Sequence, residues 1–497
     1  EYYCTVFTIA ESPLKKGTIW AGTDDGNVQL TTNDGKSWRN VTPPATAGNP
    51  GGLLISMIDT SPHAAQTAWV AANNYKNGDQ KPYIFMTRDN GKTWQSWSAG
   101  LPEDCIVRVV REDPVIPNMV YAGTEHGLYV KFPSGPWQRL GGKFPEVPVH
   151  DFVFKGNDLV VGTHGRSFWV MEELHLLRQL RDMPATPALR LLNPRPANPA
   201  RFGAVGAGTT IAEPVGENPA LNGIVIEFLV DKPRDITIKI TDGNANELAG
   251  VVVKQAKPGL NRVALNPSYP GYKSFANLRM WSGFGGPLKT PPGQYSVTLE
   301  TEGEMTLAAM VQWQKHPLTP ATEDDLREQF RFSQQIADRV TAAHEGVVRA
   351  RGWKAALAAL PADRKEIVEQ AEKITARLTM IEDALHQGKA ESGQDFLNYP
   401  IRLNNKLAAL LGVVQSGEFG PTKQSYDVFN HLNRQLETQL GALRRIEDEE
   451  ITRLQTLLKQ LGLPAMAPKF EELRPGRGGF MPSGEEAFPG FDGQEAA

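Results

Sequence analysis

Eight polar residues stand beside apolar runs or inside Gly-containing turns, where they could carry chemistry: Asp24, Asp25, Glu125, His126, His150, Asp151, His164 and Arg166. Together they could form a polar rim that binds a sugar or a peptide, and two carboxylates roughly 5–10 Å apart can act as the acid and base of glycoside hydrolysis. A structural alternative exists, because Asp24-Asp25-Gly26 is a good turn sequence and His164 or Arg166 could tie neighbouring repeats together. The sequence leaves both interpretations open.

Other chemistries find less support. The spacing of His150, Asp151 and His164 matches no zinc or calcium motif, so neither a metal nor a cofactor is expected. No glycine-rich phosphate loop runs from a strand into a helix, and no serine nucleophile elbow is present. The two cysteines, Cys4 and Cys105, recur at one position of a repeat, which favours buried free thiols over a disulfide.

Composition narrows the class of protein. The 497 residues include 52 basic and 56 acidic side chains, a net charge of −4, which argues against nucleic acid as a partner. No stretch approaches the roughly 18 apolar residues of a transmembrane helix. The length predicts about three domains.

A repeat of about 50 residues positions the candidate residues. Pro13, Pro62 and Pro114 each end an apolar run, and they lie 49 and 52 residues apart. Such a period, with several short strands and a tight turn in each unit, is typical of β-propeller blades. A fourth, shorter unit begins near Val149 and ends near Val170.

Two of these units share an eight-residue turn with the pattern Thr-x-(Asn/Asp)-x-Gly-x-(Ser/Thr)-Trp. The Asn or Asp is expected to cap the turn, the Gly to take a left-handed conformation, and the Trp to bury its ring under the turn. The predicted structural residues are Thr31, Asn33, Gly35 and Trp38, then Thr87, Asp89, Gly91 and Trp94. A degenerate copy ends at Trp137.

Residues 1–183 are therefore predicted to form the C-terminal blades of a propeller. Four blades leave two apolar faces uncovered, so further N-terminal blades are expected to be missing from this sequence. Residues 184–317 read as a linker and a β-sandwich, with strands at 224–230, 236–240 and 295–300. From Thr322 the period becomes helical, which predicts an antiparallel bundle over 318–465 and a disordered tail over 466–497.

The turn pattern is identified as the Asp-box, or BNR repeat, of sialidases, xyloglucanases and the sortilin luminal domain, where it is a structural clip. The order of the predicted domains resembles the C-terminal half of bacterial sortilin-like proteins labelled glycosyl hydrolases. The most specific match is Thr163-His164-Gly165-Arg166 with Trp169, and Asn398-Tyr399-Pro400 with Leu403-Asn404 fits the helical part. The Pro-Gly-x-Tyr-x-Val segment at 292–297 resembles an immunoglobulin-like module.

This resemblance implies a mainly β plus α chain that is exported to the periplasm, the cell surface or the medium. Its propeller is expected to bind a peptide, protein or glycan at the axial face. The alternative is a glycoside hydrolase whose paired carboxylates lie partly in the missing blades. Most tryptophans are accounted for by turns and strands rather than by a sugar platform, which favours binding.

Overall fold

The structure is a computed structural model. It describes residues 3–141, 144–181, 189–199, 223–281 and 286–475. The chain divides into two compact units, Glu1–Ala185 and Thr186–Ala497.

The first unit consists of successive antiparallel sheets, each built from strands in chain order. The first three sheets have four strands each, and the fourth has three among the described residues. Their strands are β1 Val6–Glu11, β2 Ile19–Thr23, β3 Val28–Thr31, β4 Arg39–Asn40; β5 Leu54–Thr60, β6 Ala68–Asn74, β7 Asp79–Thr87, β8 Gln95–Ser96; β9 Val107–Glu112, β10 Val120–Thr124, β11 Gly127–Lys131, β12 Trp137–Arg139; β13 Val149–Lys155, β14 Asp158–Thr163, β15 Phe168–Met171. A short helix, α1 (Leu174–Leu180), follows.

The sheets pack face to face, and the first strands β1, β5, β9 and β13 lie next to one another in that order. One apolar core separates each pair of neighbouring sheets: Trp20 and Phe85 share the first, Trp69 and Val110 the second, and Tyr121 and Phe152 the third. Sheets that pack radially through their faces, with the first strands innermost, have the arrangement of propeller blades.

Both ends of this row of sheets carry exposed apolar side chains. Phe7 and Ile9 are exposed on the first sheet, and Phe168 and Val170 on the fourth. Large apolar side chains are buried in the three cores between sheets. An apolar face of a sheet is therefore buried where another sheet packs against it.

The second unit begins with two antiparallel sheets packed around one core. Neighbouring strands follow the order 189–191, 224–230, 259–265 in one sheet and 247–256, 234–241, 293–300, 307–313 in the other. Alternation explains the packing, because Ile236, Ile238 and Ile240 all point into that core. The strands are β16 Leu189–Leu191, β17 Ile224–Val230, β18 Arg234–Thr241, β19 Glu247–Ala256, β20 Gly259–Leu265, β21 Ser268–Tyr269, β22 Lys273–Ser274, β23 Leu288–Lys289, β24 Gly293–Glu300, β25 Leu307–Trp313 and β26 Arg474–Pro475.

Helices follow the sheets. They are α2 Glu323–Ala358, α3 Lys365–Leu385, α4 Leu403–Val414, α5 Lys423–Arg445 and α6 Thr452–Gln460, with single 3-10 turns elsewhere. Thr322 and Asp325 form the reciprocal capping box that the sequence predicts for the start of α2. A π-helical turn, Ile446–Ile451, joins α5 to α6. Among the described residues, no helix is both long and apolar enough to cross a membrane.

The core of the helices is not made by helices alone. Tyr272, Phe275 and Leu288, from the segments around β22 and β23, are buried in the same cluster as α2 to α6. His344 of α2 lies in this contact, with Nδ1 2.7 Å from the carbonyl oxygen of Lys273. Residues 466–475 of the predicted tail pack within this unit: Met466 is buried in the helical core, and β26 pairs with β22. The remainder of that tail lies outside the described residues.

Candidate binding site on the axial face

Each innermost strand contains a β-bulge at the same register. The pairing with the second strand skips one residue in every sheet: Phe7, Ser56, Arg108 and His150. The first three stand six residues before the aligned prolines. A bulge redirects a side chain, and bulges are frequent beside binding sites. Four equivalent bulges therefore present four side chains at the same level of the innermost strands.

Two predicted residues meet at the last bulge. The imidazole rings of His150 and His164 stack with their centroids 5.0 Å apart and an interplanar angle of 26°. Partial burial, then the charges of Arg108 and the neighbouring His164, lower the pKa of His150 below its ordinary value. His150 therefore stays neutral to lower pH than a free imidazole, and a neutral ring both donates and accepts hydrogen bonds.

Arg108 connects this pair to the two preceding sheets. Its Nε donates to Glu125 Oε1 at 2.6 Å, and its guanidinium lies 4.8 Å from the centroid of the Tyr75 ring. Tyr75 is 43% exposed and offers an aromatic surface at the same edge. We refer to five residues as the axial cluster: Tyr75, Arg108, Glu125, His150 and His164. It combines a cation, a carboxylate, two imidazoles and one aromatic ring within three adjacent sheets.

A buried amide lies beside the axial cluster without a partner. Asn73 is fully buried, and neither atom of its amide makes a hydrogen bond to any described residue. The equivalent residues of the first and third sheets, Asp24 and Glu125, both have partners: Asp24 accepts from the backbone N–H of Thr5 at 2.7 Å, and Glu125 accepts from Arg108 Nε at 2.6 Å. A buried amide left unpaired costs about 1–3 kcal/mol, so Asn73 leaves unused hydrogen-bonding capacity next to Tyr75.

Asp151 does not join the histidines. Its Oδ1 accepts from Arg111 Nη2 at 3.0 Å, while Arg111 Nη1 donates to Asp59 Oδ1 at 3.2 Å and Nε donates to the carbonyl of Phe152. Burial raises the pKa of Asp59 to about 6 despite the guanidinium beside it. Asp59 and Asp151 therefore bind the same guanidinium. Arg111 links three innermost strands and occupies the space between the two carboxylates.

The partners of the remaining candidates, Asp24, Asp25, His126 and Arg166, lie outside the axial cluster. Asp24 Oδ1 accepts from the backbone N–H of Thr5 at 2.7 Å, and Asp25 Oδ2 accepts from Asn27 at 2.9 Å. His126 points to Glu146, with Nδ1 3.2 Å from Oε1, rather than to the axial cluster. Arg166 is exposed, and its carbonyl accepts from the Trp169 indole at 2.9 Å.

The two eight-residue turns have the same hydrogen bonds. The backbone N–H of the glycine donates to the threonine hydroxyl, at 3.0 Å for Gly35 and 2.9 Å for Gly91. The Asn33 and Asp89 side chains accept backbone N–H groups within their turns at 3.0 and 2.9 Å. Each turn is also bonded to the preceding hairpin of its own sheet, because the N–H groups of Asp34 and Asn90 donate to the carbonyls of Gly17 and Gln66 at 3.2 and 3.0 Å.

The expectation that both tryptophans lie buried is wrong for Trp38, which is 46% exposed, whereas Trp94 is 9% exposed. Trp94 Nε1 donates to the carbonyl of Val41 in the preceding sheet, and Trp137 Nε1 donates in the same way to Trp97. The cysteines differ likewise, because Cys105 is buried and Cys4 is exposed. Burial at these positions comes from the neighbouring sheet, not from the turn itself.

Sequence reasoning missed Arg108, Tyr75 and Asn73. The spacing to the aligned prolines could have pointed to Arg108, because Phe7 and Ser56 stand at the same distance. Asn73 stands eleven residues after its proline, as Asp24 and Glu125 do, so the same repeat could have pointed to it, whereas nothing in the pattern marks Tyr75. Within the described ranges, no three His, Cys, Asp or Glu side chains converge as metal ligands.

No protein-family model matches the chain, and no curated protein matches it. Similar solved structures include the GH74 enzyme of Niastella koreensis, with 12% identity, 62% of this chain and 46% of that chain covered, and a TM-score of 0.29. The GH74 xyloglucanase of Xanthomonas campestris has 15% identity, coverage of 62% and 45%, and a TM-score of 0.27. YCF48 from Cyanidioschyzon merolae has 13% identity, coverage of 62% and 85%, and a TM-score of 0.24.

The chain spans less than half of either GH74 protein. All three TM-scores lie below 0.5, so these similarities carry no argument about function. The sheets of the first unit and the apolar cores between them indicate the blade arrangement on their own.

Proposed function

We propose that this chain is part of an exported, sortilin-like Asp-box propeller that binds a peptide, protein or glycan through the axial cluster. The observation that supports this most is the set of four bulges at one register, which brings Arg108 and His150 to the edge where Tyr75, Glu125 and His164 also lie. The exposed face of the first sheet, with Phe7, Ile9 and Trp38, fits another blade of the same repeat.

The chemistry of the axial cluster suits a hydroxyl-rich or amide-rich ligand. Neutral imidazoles both donate and accept hydrogen bonds, as sugar hydroxyls and peptide groups do. The exposed Tyr75 ring supplies a flat surface for a sugar ring or an apolar side chain. Arg108 and Glu125 neutralise each other, so the site needs no strongly charged ligand.

A glycan array and a peptide array probed with the full chain test the proposal. The double variant His150→Ala/His164→Ala is expected to weaken binding at least about tenfold, the loss that corresponds to one or two hydrogen bonds. His126→Ala is the matched control, because His126 contacts Glu146 outside the axial cluster.

Equal binding by the wild type and the double variant would place the ligand elsewhere and overturn the proposal. Release of reducing sugar from a bound polysaccharide, lost in Asp151→Asn, would establish the hydrolase instead.

A further inference from the structure

The second unit contains a cleft of about 790 Å³ that has no part in the proposed axial site. Its apolar wall includes Trp313, Phe330 and Leu288, together with several prolines. Polar residues also line it, among them Lys289, Gln329 and Ser333. A concave, mainly apolar surface with a few grouped polar side chains is the usual form of a small-molecule site.

Ser333 is the first sign of a missing ligand. It belongs to α2, is 1% exposed, and its Oγ has no hydrogen-bond partner among the described residues. Hydroxyls that are buried are nearly always paired in folded proteins, because an unpaired one lowers stability. Ser333 lines the cleft, so an acceptor atom bound there would satisfy the hydroxyl.

Lys289 and Gln329 bring two further donors to the same region. The ammonium of Lys289 donates to the carbonyl of Gly417 at 3.2 Å, and the Gln329 amide donates to the same oxygen at 2.8 Å. Ser333 follows Gln329 by one helical turn on α2. Ser333 therefore lies one turn of α2 from the residue whose amide shares the Gly417 oxygen with Lys289, and all three residues line the cleft.

The charges around the cleft favour an anion. Lys289 and Lys315 both line it, against one carboxylate, Glu418, which already accepts from the Thr319 hydroxyl. The ammonium of Lys289 contacts the Gly417 carbonyl, and Glu418 is the carboxylate whose charge acts on it. Burial lowers the pKa of Lys289, and a bound anion would stabilise the charged form.

We infer that this cleft binds a small carboxylic acid with an apolar body. The carboxylate accepts hydrogen bonds from Lys289 and Ser333, since an ionised carboxylate is a pure acceptor and pairs most strongly with an ammonium. The apolar body packs against Trp313 and Phe330. This site is independent of the axial cluster and does not rest on the proposed function.

Isothermal titration calorimetry of the full chain tests the inference with three acids: N-acetylphenylalanine, indole-3-acetate and decanoate. At least one acid is expected to bind about tenfold or more tightly than its amide, because the amide cannot form the charge-assisted contact. Lys289→Met is expected to abolish that difference. Lys273→Met is the matched control, since Lys273 is an exposed lysine of the same unit that does not line the cleft.

Ser333→Ala separates a ligand contact from a structural role. Removing the unpaired hydroxyl is expected to raise the Tm of the free protein and to weaken the bound acid several-fold. A higher Tm with unchanged affinity would contradict the assigned hydroxyl contact. Failure of all three acids to bind, or equal binding of acid and amide by the wild type, would overturn the inference. Loss of the axial histidines is expected to leave these affinities unchanged.

Discussion

The first two sheets carry the same turn, yet their tryptophans end in different surroundings. The hydrogen bonds inside the two turns agree to within about 0.1 Å in the comparable glycine and side-chain contacts. Trp94 packs on the sheet before it and reaches the Val41 carbonyl at 2.8 Å, while Trp38 is largely exposed. The motif therefore determines the turn, and the neighbouring sheet determines how much the turn contributes to stability.

The sharpest test replaces each tryptophan. Trp94→Ala is expected to lower the free energy of unfolding by about 3–5 kcal/mol, the usual loss for a large buried aromatic residue. Trp38→Ala is expected to cost about 0.5 kcal/mol or less, as for an exposed side chain. Urea denaturation of the full chain measures both. Equal losses of unfolding free energy in the two variants would mean that each tryptophan acts within its own turn. The neighbouring sheet would then make no difference.

The glycines of the two turns give the next largest difference. A Cβ on Gly91 would stand 2.6 Å from Val41 Cβ in the preceding sheet, whereas a Cβ on Gly35 would meet only its own tryptophan at 3.7 Å. Both have positive φ, +76° and +79°, so each alanine variant loses about 1–2 kcal/mol from the backbone. Gly91→Ala is expected to lose a further 1–3 kcal/mol, roughly, from overpacking. A lower Tm for Gly35→Ala than for Gly91→Ala in thermal unfolding would contradict this prediction.

A charge distinguishes the two sheets at a third position, because Ala10 of the first corresponds to Asp59 of the second, each three residues before its proline. The raised pKa of Asp59, about 6, means that the folded protein binds this proton more tightly than the unfolded chain does. The stability that this group contributes is therefore complete below pH 4 and is lost as the pH rises through 6, by roughly 3 kcal/mol.

Asp59→Asn is expected to flatten the dependence of unfolding free energy on pH between 4 and 6. Asp104→Asn, at an exposed position of the same unit, serves as the control and should leave the slope as it is. An unchanged slope in Asp59→Asn would show that the carboxyl titrates normally.

The smallest expected difference between the two sheets at neutral pH comes from the capping residues. Asn33→Ala and Asp89→Ala should each lose about 1 kcal/mol at neutral pH, because the same backbone N–H groups lose their acceptor. Against the effect of burial, hydrogen bonds from Thr93 lower the pKa of Asp89 to about 2. Its contribution is therefore present above pH 4 and lost as the pH falls to 2, while Asn33 has no such dependence. Acid titration of the two variants checks this, and identical acid profiles would contradict it.

Local patterns predicted the parts of the fold that local forces build. The aligned prolines lead to the successive sheets, the alternation of Ile236, Ile238 and Ile240 to a half-buried strand, and the Thr322–Asp325 pair to the start of α2. Each of these signals depends on residues a few positions apart, so one sequence is enough to find it.

The candidate site was predictable only in part. Proximity of His150 to His164 followed from strand pairing within one sheet. The partner of Asp151 lies 40 residues away in another sheet, and Arg108 reaches Tyr75 across a sheet boundary. Such contacts depend on how blades pack, which no short pattern in one sequence encodes. The exposure of Trp38 escaped prediction for the same reason.

The sharing of one core by strand segments and helices in the second unit has a consequence for protein engineering and for evolution. Tyr272, Phe275 and Leu288 fill the interior of the helices, and β26 returns from beyond α6 to pair with β22. Helices cut away near residue 318 would be left with a hole lined by apolar side chains, and they would expose it to water. The helices therefore do not form a domain that can be moved alone into another protein. Recombination that preserves folding must exchange the sheets and the helices together.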